Sequence, residues 1–200
     1  MRANTLASFD AALEIGVDMV EFDLRGWRNE LVLAHTTLHA GVCQRVRLQE
    51  ALAYLSGPRF AGIELNVDVK QRRLEPALLS ALHSAGLLDR TLISSQLPAV
   101  LDQVRALEPR ARTGISVGGR VARAGGRRRD WRALALAGFV SRRWDALMAQ
   151  HGLIDAGLLE DVVCRSGLLY AWTVNERSAI ERLRTLGVHG ITTADPRLFV

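Results

Sequence analysis

The spacing of apolar residues switches repeatedly along the chain between the period of a helix and that of a strand. Leu6, Phe9 and Leu13 recur at helical spacing between Thr5 and Ile15, with Asn4 or Thr5 placed to cap the start and Gly16 to end it. Residues 17–24 read as a strand, and 31–34 form a short apolar stretch that suits a small hairpin arm before His35. Residues 48–55 predict a helix, and 62–69 alternate strictly as a half-polar strand does. Beyond them, helices are expected over 75–86, 98–107, 131–139, 156–166 and 176–186, and strands over 91–94, 111–117, 144–149, 168–174 and 188–193.

Strands alternating with helices of this length mean a parallel sheet with helical crossovers. No Gly-x-Gly-x-x-Gly follows a strand and opens a helix, and no Walker loop is present. Gly114, Gly118 and Gly119 are wrongly spaced and lack the acidic follower, which disfavours a dinucleotide fold. Seven main strands linked by helices, in a chain that opens directly on a helix, describe an α/β (β/α)8 barrel lacking its first strand. Such barrels reach down to about 200 residues. The sequence is expected to form a single domain over 1–200.

Composition narrows the function more than the fold. At 48% hydrophobic and 24% charged residues the chain reads as an ordinary globular protein. No apolar run approaches the roughly 18–20 residues of a membrane span. Asp10, Glu14 and Asp18 interrupt the region where a signal peptide would lie, so a cytoplasmic location is expected. Cys43 and Cys164 lie too far apart for a disulfide scaffold or a zinc cluster. The net charge is +5, yet Lys70 is the only lysine among the 26 basic residues. That arginine excess, with abundant alanine, leucine and glycine, reads as codon bias and says little about partners. The densest basic patch, Arg120, Arg123 and Arg127 to Arg129, has no interleaved aromatic residues and is expected to be a solvated loop and helix start rather than a nucleic-acid surface.

Two strands carry polar residues where a barrel strand should be apolar. In 19–24, Val20, Phe22 and Leu24 share one face, and Glu21 and Asp23 the other. Carboxylates at i and i+2 stand about 6.6 Å apart at Cα, close enough for both to converge on one hard cation. Burying them without a cation or a base is costly. In 63–70, Glu64, Asn66, Asp68 and Lys70 share one face and the other is wholly aliphatic. Asp68 adds a third metal carboxylate, and Lys70 a cation for a phosphate oxygen, with a structural ion pair as the plainer reading. His35 is placed as a general acid or base. Trp172, in Trp172-Thr173-Val174-Asn175, ends a strand where it would wall a substrate pocket, a core tryptophan being the default. His39, His83, His151 and His189 are expected to be structural or exposed.

In this order the pieces resemble the glycerophosphodiester phosphodiesterase family, over nearly the whole chain. Asn4-Thr5-Leu6 is similar to the family's Glu-Asn-Thr helix opening. Gly16-Val17-Asp18 with Glu21-x-Asp23 is similar to its Gly-Ala-Asp and Glu-x-Asp metal strand, and Asp68-Val69-Lys70 to its Glu-x-Lys. Ser94-Ser95 resembles a serine-containing strand end of the family. The Trp172 to Asn175 run and Gly187-Val188-His189-Gly190-Ile191-Thr192 resemble its closing motifs, and His35 stands at its second catalytic histidine. The chain departs from the pattern in Ala3 for glutamate, Thr36 for aspartate and Asp68 for glutamate. The His-Arg-Gly of the family's first strand, with the other catalytic histidine, would lie ahead of Met1.

The resemblance implies a TIM barrel of the phosphodiesterase type, lacking its first strand. It implies hydrolysis of a small glycerophosphodiester to glycerol 3-phosphate and an alcohol. Glu21, Asp23 and Asp68 would hold Mg²⁺ or Ca²⁺, His35 would be catalytic, and Lys70 and Trp172 would bind substrate. The rival readings are a phospholipase D-like lyase acting on intact lipids and a non-catalytic barrel remnant.

Overall fold

The structure, a computed structural model, describes residues 3–42, 45–119 and 128–199. Cys43, Arg120, Arg123 and Arg127, with the side chains of Arg128 and Arg129, lie outside the described residues. The chain divides into two compact units, Met1–Arg112 and Thr113–Val200.

The first unit is built around β1 (Met19–Trp27), β2 (Glu30–Leu33), β3 (Glu64–Val69) and β4 (Thr91–Ser95), in the order β2-β1-β3-β4. A turn with Arg28 in the left-handed region folds β2 back antiparallel on the end of β1, Leu24 facing Leu33 and Trp27 facing Glu30. This is the expected hairpin arm. β1 runs parallel to β3 from Met19 opposite Glu64 to Leu24 opposite Val69, and β3 runs parallel to β4. Around them lie α1 (Leu6–Ile15), α2 (Thr37–Val42), α3 (Leu48–Leu55), α4 (Glu75–Ser84) and α5 (Pro98–Leu107). Val20, Phe22 and Leu24 of β1 and Leu65, Val67 and Val69 of β3 join Leu52, Leu78 and Val100 from the helices in one buried cluster. The aliphatic faces thus take the core, and the alternate residues of β1 and β3 are left to line the opposite face.

The second unit holds β5 (Arg112–Val117, beginning on the last residue of the first unit), β6 (Ala146–Gln150), β7 (Leu168–Trp172) and β8 (Gly190–Ile191), parallel and in sequence order. Its helices are α6 (Arg128–Val140), α7 (Ala156–Val163) and α8 (Arg177–Leu186), with Leu147, Leu158, Leu169 and Ile180 fully or almost fully buried. No helix among the described residues is long and apolar enough to cross a membrane.

The structure departs from the sequence reading at element ends. The helix expected over 75–86 stops at Ser84, just ahead of Gly86 at φ +66°. The last strand shrinks to Gly190–Ile191, because only Tyr170 and Ala171 of β7 stand opposite it. Helix α2 was not foreseen. It has only six residues, too few to show a period, and the Thr36 hydroxyl accepts the His39 N–H at its start.

Candidate active site

The parallel register of β1 and β3 sets Glu21 opposite Asn66 and Asp23 opposite Asp68. Both strands turn their apolar residues to the helices, so these polar side chains converge on the other face. One carboxylate oxygen from each of Glu21, Asp23 and Asp68 lies within 4.8 Å of the other two. The Lys70 N–H bonds to the Leu24 carbonyl, continuing the ladder one residue past β3 and carrying the lysine to the same place. Its Nζ stands 2.8 Å from Asp23 Oδ1 and 2.5 Å from Asp68 Oδ2. The site carboxylates and the ion pair weighed separately from the sequence are therefore one cluster. Glu64, expected on this polar face, does not join it. It sits at the start of β3 and pairs with Arg112 at 2.8 Å.

The sequence marks Asn4 as a candidate helix cap and as part of the Asn4-Thr5-Leu6 opening, and the structure brings it to Asp23. Its Nδ2 donates to Asp23 Oδ2 at 2.9 Å, and its Oδ1 accepts the Asp23 backbone N–H at 2.9 Å. Nothing in the local pattern near residue 4 signals this, because the partner lies 19 residues away. Thr5 is the actual cap of α1, in a reciprocal capping box with Ser8. His35 follows β2, where the Ala34 N–H bonds to the Asp23 carbonyl. The Arg25 Nε donates to the His35 carbonyl at 3.0 Å, and this exposed residue bears electrostatically on Asp68. At the end of β4 the Ser95 hydroxyl bonds to the Val69 carbonyl, a structural use of the serine-containing strand end.

Trp172 ends β7 in the second unit; its indole N–H donates to the Met148 carbonyl at 2.8 Å, and its ring lies where a Cβ on Gly118 would collide at 2.6 Å. His83 pairs with Glu108, His189 Nδ1 accepts the Leu169 N–H, and Cys164 is an exposed free thiol.

Charge in the cluster does not balance by itself. Three carboxylates face one ammonium. Burial, reinforced by Asp23 and Asp68, pushes the Glu21 carboxyl up to about 8. Burial likewise raises Asp68 above the usual carboxylate range, against the pull of Lys70. For Lys70 burial acts in the opposite sense, but Asp68 and Asp23 outweigh it and hold the ammonium above the ordinary lysine value. Asp68 Oδ1 and Asn66 Oδ1 are also buried with no hydrogen-bond partner among the described residues. Buried oxygens of this kind are normally satisfied. The donor set is all oxygen, carries an excess of negative charge and keeps a buried carboxylate oxygen unbonded. It fits a hard divalent cation such as Mg²⁺ or Ca²⁺, with Glu21, Asp23 and Asp68 as the residues that would hold it.

Comparison with known proteins gives a consistent picture. No family model matches the chain. A glycerophosphodiester phosphodiesterase of Caldanaerobacter subterraneus is 24% identical over 237 aligned residues, spanning 98% of this chain and 90% of that protein. A glycerophosphodiester phosphodiesterase from Parabacteroides distasonis superposes with a TM-score of 0.80 at 18% identity, covering 97% of this chain and 87% of that one. An Oleispira antarctica phosphodiesterase, solved with the product sn-glycerol-3-phosphate, gives a TM-score of 0.76 at 21% identity over 97% of this chain and 88% of its own. The chain thus has the TIM-barrel fold of the glycerophosphodiester phosphodiesterases that it resembles in sequence.

Proposed function

We propose that this chain is a metal-dependent phosphodiesterase that hydrolyses glycerophosphodiesters to glycerol 3-phosphate and an alcohol. The observation that carries the proposal is the convergence of Glu21, Asp23 and Asp68 around Lys70, with a buried carboxylate oxygen left unbonded, on a fold shared with such enzymes. The product held by the Oleispira protein supports the choice of substrate. A bound divalent cation would polarise a phosphate oxygen and offset charge that develops in the transition state.

The chain's own residues supply the rest. The Lys70 ammonium, kept protonated by Asp68 and Asp23, faces an anionic phosphate as a fixed positive charge. Asp23 is held at both carboxylate oxygens, by Asn4 and by Lys70, so it enters the site already oriented. His35, exposed and close enough to bear electrostatically on Asp68, would deliver a proton to the departing alcohol oxygen as that phosphorus–oxygen bond breaks, while an attacking hydroxyl, from water or from the substrate's own glycerol, forms the new bond and gives up its proton to solvent. Domain organisation follows the same reading, with 1–200 as one phosphodiesterase-like domain.

The test is release of glycerol 3-phosphate from glycerophosphocholine by EDTA-treated protein, with and without added Mg²⁺ or Ca²⁺. Activity is expected only with the cation and is expected to be lost in Glu21→Gln. For His35→Ala the expected fall is about 10²–10⁴-fold, the contribution of an acid–base group. Turnover undiminished by EDTA, or by either substitution, would overturn the proposal. Cation binding without turnover would favour the non-catalytic reading.

A further inference from the structure

We infer that Asn4 is a positioning residue that holds Asp23 in the orientation needed to ligate the cation; the inference rests on the metal site proposed above. Asp23 stands opposite Asp68, but its backbone N–H and carbonyl turn away from β3, to Asn4 and to the Ala34 N–H. Its neighbours Phe22 and Leu24 alternate with it, and the Leu24 carbonyl is taken by Lys70 of the β3 chain segment. On the far side, the Asn4 carboxamide acts as a peptide group would in a neighbouring strand. Its oxygen accepts the Asp23 N–H and its nitrogen donates to the Asp23 carboxylate, both at 2.9 Å. One rigid, planar amide therefore fixes the backbone and the side chain of the same residue. Asp23 is only 7% exposed, and Lys70 pulls on its other oxygen, so the carboxylate has little freedom left.

The backbone at Asn4 supports a dedicated role. Its φ is +62°, in the left-handed region, where asparagine is among the few residues with a side chain that are readily accommodated. That conformation comes immediately before Thr5, which starts α1 and locks the entry with its capping box. Helix cap and carboxylate clamp are thus consecutive residues, and the first helix is tied directly to the proposed site. Outer hydrogen bonds of this kind typically contribute about 10–100-fold to metal affinity.

The experiment is calorimetric titration of the metal-free protein with Ca²⁺, accompanied by thermal melts. Asn4→Gly accommodates the positive φ and deletes only the carboxamide, whereas Asn4→Ala also strains the backbone. Asp155→Ala, which removes the cap of α7 in the second unit, is the control for a general loss of stability. The expected result is that both Asn4 variants bind Ca²⁺ about 10–100-fold more weakly than wild type, while Asp155→Ala lowers the melting temperature without changing the affinity. Wild-type affinity in Asn4→Gly would overturn the inference and leave the metal site standing. If Asp155→Ala weakened binding as much as Asn4→Gly, Asn4 would be merely structural and the inference would fall. If wild-type protein bound neither Ca²⁺ nor Mg²⁺, and Glu21→Gln gave the same blank titrations, the metal site would fall and the Asn4 inference with it.

Discussion

Glu21 is the residue at which folding and the proposed chemistry pull in opposite directions. Its carboxyl stands near 8 in the folded protein against an ordinary value of 4.5, chiefly because it is buried and then because Asp23 and Asp68 are close. Between these values the folded state binds more protons than the unfolded state. Stability must therefore fall as pH rises through that interval, and level off for this group above about 8. Asp68, also raised, adds in the same direction, whereas the raised Lys70 value lies too high to matter within the window. In EDTA the melting temperature is expected to drop from pH 5 to pH 8. Glu21→Gln should flatten that slope and melt higher than wild type at pH 8. Saturating Ca²⁺ should flatten it in wild type and have little effect in the variant. A slope in EDTA that Glu21→Gln leaves unchanged would show that Glu21 ionises freely in the fold.

At the scale of elements, α1 offers a matched pair of changes at its two ends. Thr5 caps the start through the Ser8 N–H, and Gly16 ends the helix at φ +84° with its amide bonded back to the last turn. Thr5→Ala removes a cap and Gly16→Ala forces a side chain into the left-handed region, each costing about 1 kcal/mol. Denaturant unfolding should show similar losses for the two. Only Thr5→Ala should also weaken Ca²⁺ binding, since only it loosens the segment that carries Asn4. Both ends of this helix were readable in the sequence because caps are local chemistry. So were the two alternating strands, whose polar faces stood out against aliphatic ones. What alternation cannot give is register. It puts Glu21 and Asp23 on one face and Asp68 and Lys70 on another, but the pairing of Asp23 with Asp68 depends on how β1 and β3 slide against each other. The Asn4 clamp was hidden for the same reason, and Glu64 was grouped with the site although it lies at the strand's far end, beside Arg112.

For the molecule as a whole, composition becomes an experimental handle. With 26 basic residues and one lysine, the chain has a single side-chain amine, and it lies between Asp23 and Asp68 with 17% of the lysine side chain exposed. Amine acylation needs the neutral amine, and each unit by which a pKa is raised makes that form about tenfold scarcer. Folding therefore protects Lys70 twice, by burial and by its two carboxylates, while the arginines contribute no background. Protein treated with an acylating reagent at pH 8 should modify Lys70 far more slowly when folded than in concentrated urea, as followed by peptide mass. The rate should rise cooperatively with urea, in step with loss of helical signal, because β1 and β3 hold the lysine only while they are paired. Asp23→Asn should speed acylation of the folded protein by removing one of the two charges that keep the amine protonated. If folded wild type and urea-unfolded chain react equally fast, the carboxylate–lysine cluster does not form in solution, and the oxygen set offered to the cation is not assembled.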